Sequence, residues 1–173
     1  MRPTLVLTIL FALAAPAVSQ TEAPCPLHAE HQKAESHAGH ALDQRGDKVM
    51  GFEHSRTTHH FRLANDGGAI EVEANDPGDT ASLTQIRTHL SQVAEAFSKG
   101  DFTMPGEIHG RTLPGIPEMT RRKDAISYRY EETERGARVR ITAADSAALD
   151  AVHAFLRAQI EDHRTGDPLT PSP

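Results

Sequence analysis

Between Thr57 and Leu63 the chain alternates, with His59, Phe61 and Leu63 on one side and Thr58, His60 and Arg62 on the other. A period of two predicts a half-buried strand. Asn65-Asp66-Gly67-Gly68 is a hairpin turn signal. After it Ile70, Val72 and Ala74 alternate with Glu71 and Glu73. The spacing then changes. Leu83, Ile86, Leu90, Val93 and Phe97 recur at three and four, which predicts an amphipathic helix. Asp76 is placed to cap that helix, Pro77 suits its first turn, Asp79 favours its positive end and Gly100 ends it.

The same succession returns later in the chain. Ile126, Tyr128 and Tyr130 alternate, a turn runs from Glu132 to Ala137, and Val139 and Ile141 face inward. Asp145 caps a second helix carrying Leu149, Val152, Leu156, Ile160 and His163 on its apolar side, and Gly166 and Pro168 stop it. Ile70 to Asp76 matches Val139 to Asp145, Ile86 to Asp101 keeps step with Val152 to Asp167, and Gly67 corresponds to Gly136. The pattern is a duplicated ββα unit. It predicts an α+β fold, a two-layer sandwich in which a four-stranded antiparallel sheet carries two helices on one face. A pseudo-twofold axis relates the halves. The domain spans residues 49–168, and residues 101–123, rich in Pro and Gly, read as a long connection between the copies.

The ends have a different character. Met1 to Ser19 has a basic Arg2, an apolar run from Leu5 to Ala15 too short to span a bilayer, and the small residues Ala17-Val18-Ser19 before Gln20. It reads as a secretory signal, so the protein is expected to be periplasmic or secreted, with no membrane span after cleavage. Residues 20–48 have almost no large apolar side chain and are expected to form a disordered, histidine-rich tail. The same expectation holds for residues 169–173. The single cysteine, Cys25, cannot form an internal disulfide. With His28 and His31 it could chelate a soft or borderline cation. The tail is weakly similar to the Cys-Pro-Met-His-Pro segments of bacterial heavy-metal efflux proteins, with Leu27 and Ala29 departing from that pattern.

Composition adds two constraints. A formal charge of −6 argues against a nucleic-acid partner. Eleven histidines among 173 residues is the anomaly, because imidazole is the commonest protein metal ligand. The repeat separates shared frame from private substitution. His59 takes the place of Tyr128, His89 that of Phe155, and His153 that of Arg87. His59, His89 and His153 are expected to converge between sheet and helices, with His109 arriving from the connection, as a copper or zinc site. His163, about 15 Å along the helix from His153, cannot share an ion with it. His54 and His60 read as solvent-facing, and Met50, Met104 and Met119 as gap-fillers. The bland alternative is that each histidine is a hydrogen-bonded structural residue.

No nucleophile elbow, phosphate-binding loop, haem-attachment motif or His-Glu-x-x-His is present, so the chain reads more as a binding protein than an enzyme. Asp162-His163 and Glu107 with His109 remain as isolated carboxylate–imidazole neighbours. The motifs Thr57-Thr58-His59-x-Phe61, Ile86-Arg87-x-His89-Leu90, Gly100-Asp101-Phe102, Ile108-His109-Gly110, Pro114-Gly115 and Val152-His153 with Asp162-His163 resemble those of a family of small, exported, uncharacterised bacterial proteins. The resemblance covers roughly Met50 to His163 and implies histidines at positions 59, 89, 109, 153 and 163. Some of those relatives carry an aspartate carbamoyltransferase label, yet this chain lacks the Ser-Thr-Arg-Thr carbamoyl-phosphate loop.

The expected function is therefore periplasmic binding of copper or zinc, with the tail as a capture arm and a periplasmic protein as a possible partner. The alternative is a non-enzymatic interaction or ligand-binding module with structural histidines.

Overall fold

The computed structural model describes residues 39–171. Its centre is one antiparallel sheet of four strands, β1 (Thr57–Ala64), β2 (Gly67–Ala74), β3 (Ile126–Glu132) and β4 (Gly136–Ala143), in the order β1-β2-β4-β3. The two long helices α2 (Thr80–Ser98) and α5 (Ser146–His163) pack on it. The expected two-layer α+β architecture is the observed one.

The hairpin registers carry the duplication. Thr57 opposite Ala74 becomes Ile126 opposite Ala143, and Leu63 opposite Gly68 becomes Glu132 opposite Ala137. The two copies meet along β2 and β4, where Ile70 faces Val139. The helices cross over: α5, from the second copy, packs mainly on β1 and β2, while α2 packs mainly on β3 and β4. Each copy thus covers the other's hairpin. Ile86, Leu90, Val72, Val139, Ile141, Val152, Phe155 and Leu156 are almost wholly removed from solvent between the layers. Neither unit could bury its own apolar face alone.

Local chemistry differs from the expected at one cap. Asp79, not Asp76, caps α2: its Oδ1 accepts from the Ser82 N–H at 3.0 Å. Asp145 does the same for the Ala148 N–H at 2.8 Å. These aspartates are the true repeat mates. The first copy holds an extra Asp76-Pro77-Gly78, and Asp76 spends its carboxylate on the Gly78 N–H within that turn. Either aspartate satisfies an end-of-helix pattern, and only the chain path chooses between them.

Three further segments differ. A helix, α1, covers residues 39–50 and so takes in residues 39–48 of the expected structureless tail. Its few apolar residues find partners: Leu42 is buried, and Arg45 Nε donates to the Ile108 carbonyl at 2.7 Å. The connection after Gly100 folds into α3 (Thr103–His109) and α4 (Ile116–Arg121), with Pro117 tolerated in the first turn of α4. Beyond α5 the chain returns along the sheet edge. Asp167 accepts from the Phe61 N–H on β1, and Arg157 Nε donates to the Leu169 carbonyl. No described helix is long and apolar enough to cross a membrane. The signal segment, Cys25, His28 and His31 lie outside the described residues.

Candidate functional site

Side chains from β1, β2, α2, α3 and α5 line a common space. The result is a cavity of about 60 Å³. Its apolar wall comes from Phe61, Ile70, Val72, Leu90 and Val93, and its polar groups from His59, His89, His109, His163 and Gln159. Phe97, Pro105 and Ile108 add to the apolar wall, and Met50 and Met104 also line it. None of the described residues that line it is Asp, Glu, Cys, Lys or Arg.

Each ring arrives for a legible reason. His59 sits on the inward side of β1, two residues from Phe61, so alternation aims it at the helix layer. His89 lies on the buried side of α2 beside Leu90. His163 ends α5 in the stripe continued from Leu156 and Ile160. The His59 and His163 rings stack, with centroids 6.0 Å apart and planes 8° from parallel. Phe52 also stacks on His59, at 6.1 Å, and meets the His89 ring edge-on at 5.7 Å. The pseudo-twofold maps His59 onto Tyr128 and His163 onto Phe97, which are themselves in ring contact at 5.7 Å. One end of the fold therefore carries two imidazoles where the other carries a phenol and a phenyl ring.

Burial governs the electrostatics. Desolvation, aided by the neighbouring His163, His89, His54 and His60, lowers the His59 pKa from 6.5 to about 3. Desolvation alone takes His89 to about 4. His163 also falls to about 4, through burial first and His109 second, against an upward pull from Asp162. All three are neutral at pH 7, as a metal ligand must be. His59 Nε2 is buried and has no hydrogen-bond partner. Such an orphan costs about 1–3 kcal/mol unless something occupies it. The Tyr128 hydroxyl, its repeat mate, is a second buried orphan, held in its protonated form by desolvation.

The sequence-predicted set is only partly brought together. His59, His89 and His109 line the one cavity, but His153 does not. Its Nε2 reaches the carbonyls of Ala64 and Gly67, at 2.9 and 3.0 Å, and so clamps the β1–β2 turn. His163, at the far end of α5 from His153, lines the cavity instead. His109 reaches the wall with both ring nitrogens engaged, Nδ1 with Asp162 Oδ2 at 2.7 Å and Nε2 with Gln159 Oε1 at 3.0 Å. Asp162 thus pairs with His109 and not with its neighbour His163, and Arg111 holds the same carboxylate oxygen. His60 is paired with Asp167 rather than free in solvent. Met50 and Met104 were missed as site residues, since nothing in local periodicity marks a methionine that fills a gap from one that borders a cavity.

His59 and His163 also border an outer cleft of about 220 Å³, shared with Asp43, His54 and Thr165. The stacked pair thus borders both spaces. Among the described residues no three or more His, Cys, Asp and Glu side chains are arranged to hold a single metal ion. No protein-family model, curated protein or solved structure matches the chain.

His153 offers a clean test of the structural reading. His153→Ala removes a buried donor from two carbonyls, so it should cost about 1–3 kcal/mol in urea denaturation. Metal affinity should not change. A loss of affinity without loss of stability would return His153 to the site.

Proposed function

We propose that this chain is an exported protein that binds one copper or zinc ion at the cavity bordered by His59, His89 and His163. The observation that carries the reading is the buried, partnerless Nε2 of His59 beside two further imidazoles that burial keeps neutral. A metal ion is a Lewis acid that needs such lone pairs and competes with protons for them. His109, tied to Asp162 and Gln159, acts as a wall and orients the α3 closure. Cys25, His28 and His31 serve as a separate capture arm, and export rests on the Met1–Ser19 segment.

A second reading is favoured by the apolar lining and by the lack of a three-donor arrangement: the cavity takes a small uncharged molecule and the histidines are structural. Calorimetric titration of the tag-free chain with Cu²⁺ and Zn²⁺ at pH 7.5 separates the two. Metal binding predicts one tight equivalent that survives the triple change Cys25→Ser, His28→Gln, His31→Gln. It should then weaken at least about tenfold on adding His59→Gln. Millimolar-only affinity, or tight binding lost entirely with the tail changes, would end the cavity reading.

A further inference from the structure

The cavity's donors differ in kind from those of a divalent-ion site. Of its four imidazoles His109 is tied to Asp162 and Gln159, which leaves His59, His89 and His163 beside the thioethers of Met50 and Met104, and no described carboxylate or thiolate lines it. Every donor is uncharged. The desolvation cost of an ion rises with the square of its charge, so a divalent ion in this apolar enclosure is penalised about four times as heavily as a monovalent one. Nothing on the wall offers a negative charge to offset it. Zinc in a closed site takes four ligands in a tetrahedron, often including anionic ones. The described residues do not supply even three converging His, Cys, Asp or Glu donors.

We infer that the cavity selects the cuprous ion, held by imidazoles drawn from His59, His89 and His163 together with a thioether from Met50 or Met104. This rests on the metal-binding reading above and narrows it to one oxidation state. The soft thioether is a donor that favours Cu(I), whereas zinc is ordinarily held by thiolate, imidazole and carboxylate. A monovalent ion also tolerates a small ligand set, so the lack of a three-donor His, Cys, Asp or Glu group among the described residues does not oppose it. Met119, by contrast, is fully buried in the core and does not line the cavity. The stacked His59–His163 pair, which borders both the outer cleft and the cavity, marks the side from which the ion enters.

The test uses the full chain with Cys25→Ser, His28→Gln, His31→Gln, His37→Gln and His40→Gln, which silences the amino-terminal donors. Since Cys25 is the chain's only cysteine, any sulfur bound to copper in this variant belongs to a methionine. Cu(I) affinity is measured anaerobically against a chromophoric cuprous chelator, and Zn²⁺ and Cu²⁺ affinities by competition with their own indicators. The expected result is one equivalent of Cu(I) bound at least about a thousandfold more tightly than Zn²⁺, with sulfur and nitrogen scatterers in the X-ray absorption spectrum. Met50→Leu with Met104→Leu keeps the side-chain volume. This pair should remove the sulfur scatterer and weaken Cu(I) at least tenfold while leaving Zn²⁺ where it was. Zn²⁺ or Cu²⁺ bound as tightly as Cu(I), or an unchanged Cu(I) affinity in the double Met variant, would overturn the cuprous assignment. If His59→Gln still weakens the metal that does bind, the broader metal-binding reading survives that failure. If His59→Gln changes no metal's affinity, both fall together.

Discussion

Acidifying the metal-free protein from about pH 7 to about pH 4 is expected to unfold it. His59, His89 and His163 titrate near 3, 4 and 4 in the fold, against an ordinary value of 6.5. The sign follows from which state takes up protons. Above 6.5 both states are neutral and the fold has its full stability. Below 6.5 the unfolded chain protonates these rings while the folded chain cannot, so stability is lost as the pH falls. Each such group contributes a slope of up to about 1.4 kcal/mol per pH unit, and three together about 4. Against a typical stability of about 5–15 kcal/mol, that slope exhausts the fold within two or three pH units. Chemical denaturation followed by circular dichroism at stepped pH would measure it. Replacing His59 with Phe, a ring like those at the other end of the pseudo-twofold, should flatten the slope by about a third. Stability that stays level between pH 7 and pH 5 would show that the three rings are not desolvated together.

Gly136→Ala is expected to be severely destabilising. A Cβ at Gly136 would lie 1.9 Å from the Val72 carbonyl oxygen, and one at its twin Gly67 would lie 2.1 Å from the Ile141 oxygen. Both obstacles are backbone in the central β2–β4 pair, so neither can rotate away. The two middle strands would have to part. Disrupting that pairing and the core above it should cost at least about 4 kcal/mol, in the range reserved for a few severe mechanisms. Gly106→Ala is the matched control. It sits in α3 with open space around it, and alanine should be neutral or stabilising by up to about 1 kcal/mol there. Thermal melts of both variants decide the matter. A Gly136→Ala protein melting near the parent would contradict the tight β2–β4 approach.

These glycines show where a sequence reading reaches and where it stops. Gly67 and Gly136 were legible as matching turn residues, because Asn65-Asp66-Gly67-Gly68 is a local signal. That they also lie where the two copies press together was not, since the close approach is between Gly136 and Val72, far apart along the chain. The same limit explains the histidines. His59 was aimed correctly because alternation along β1 is a property of a single strand. His153 was aimed wrongly. It lies beside the apolar stripe of α5, but that helix crosses to the other copy's hairpin and so lays His153 on the β1–β2 turn. The crossing of the helices is a packing outcome and leaves no mark in either helix's periodicity.

The alternation, the three-and-four spacing and the repeated order of strand and helix are short-range regularities. They sufficed for two ββα copies, a four-stranded antiparallel sheet and a covering helical layer. The cavity was decided elsewhere. It needed α1 to fold against α3, α3 to form in a stretch rich in Pro and Gly, and the ends of α5 and β1 to meet. Each of these depends on apolar surface buried between segments far apart in the chain, a free energy that no local window contains.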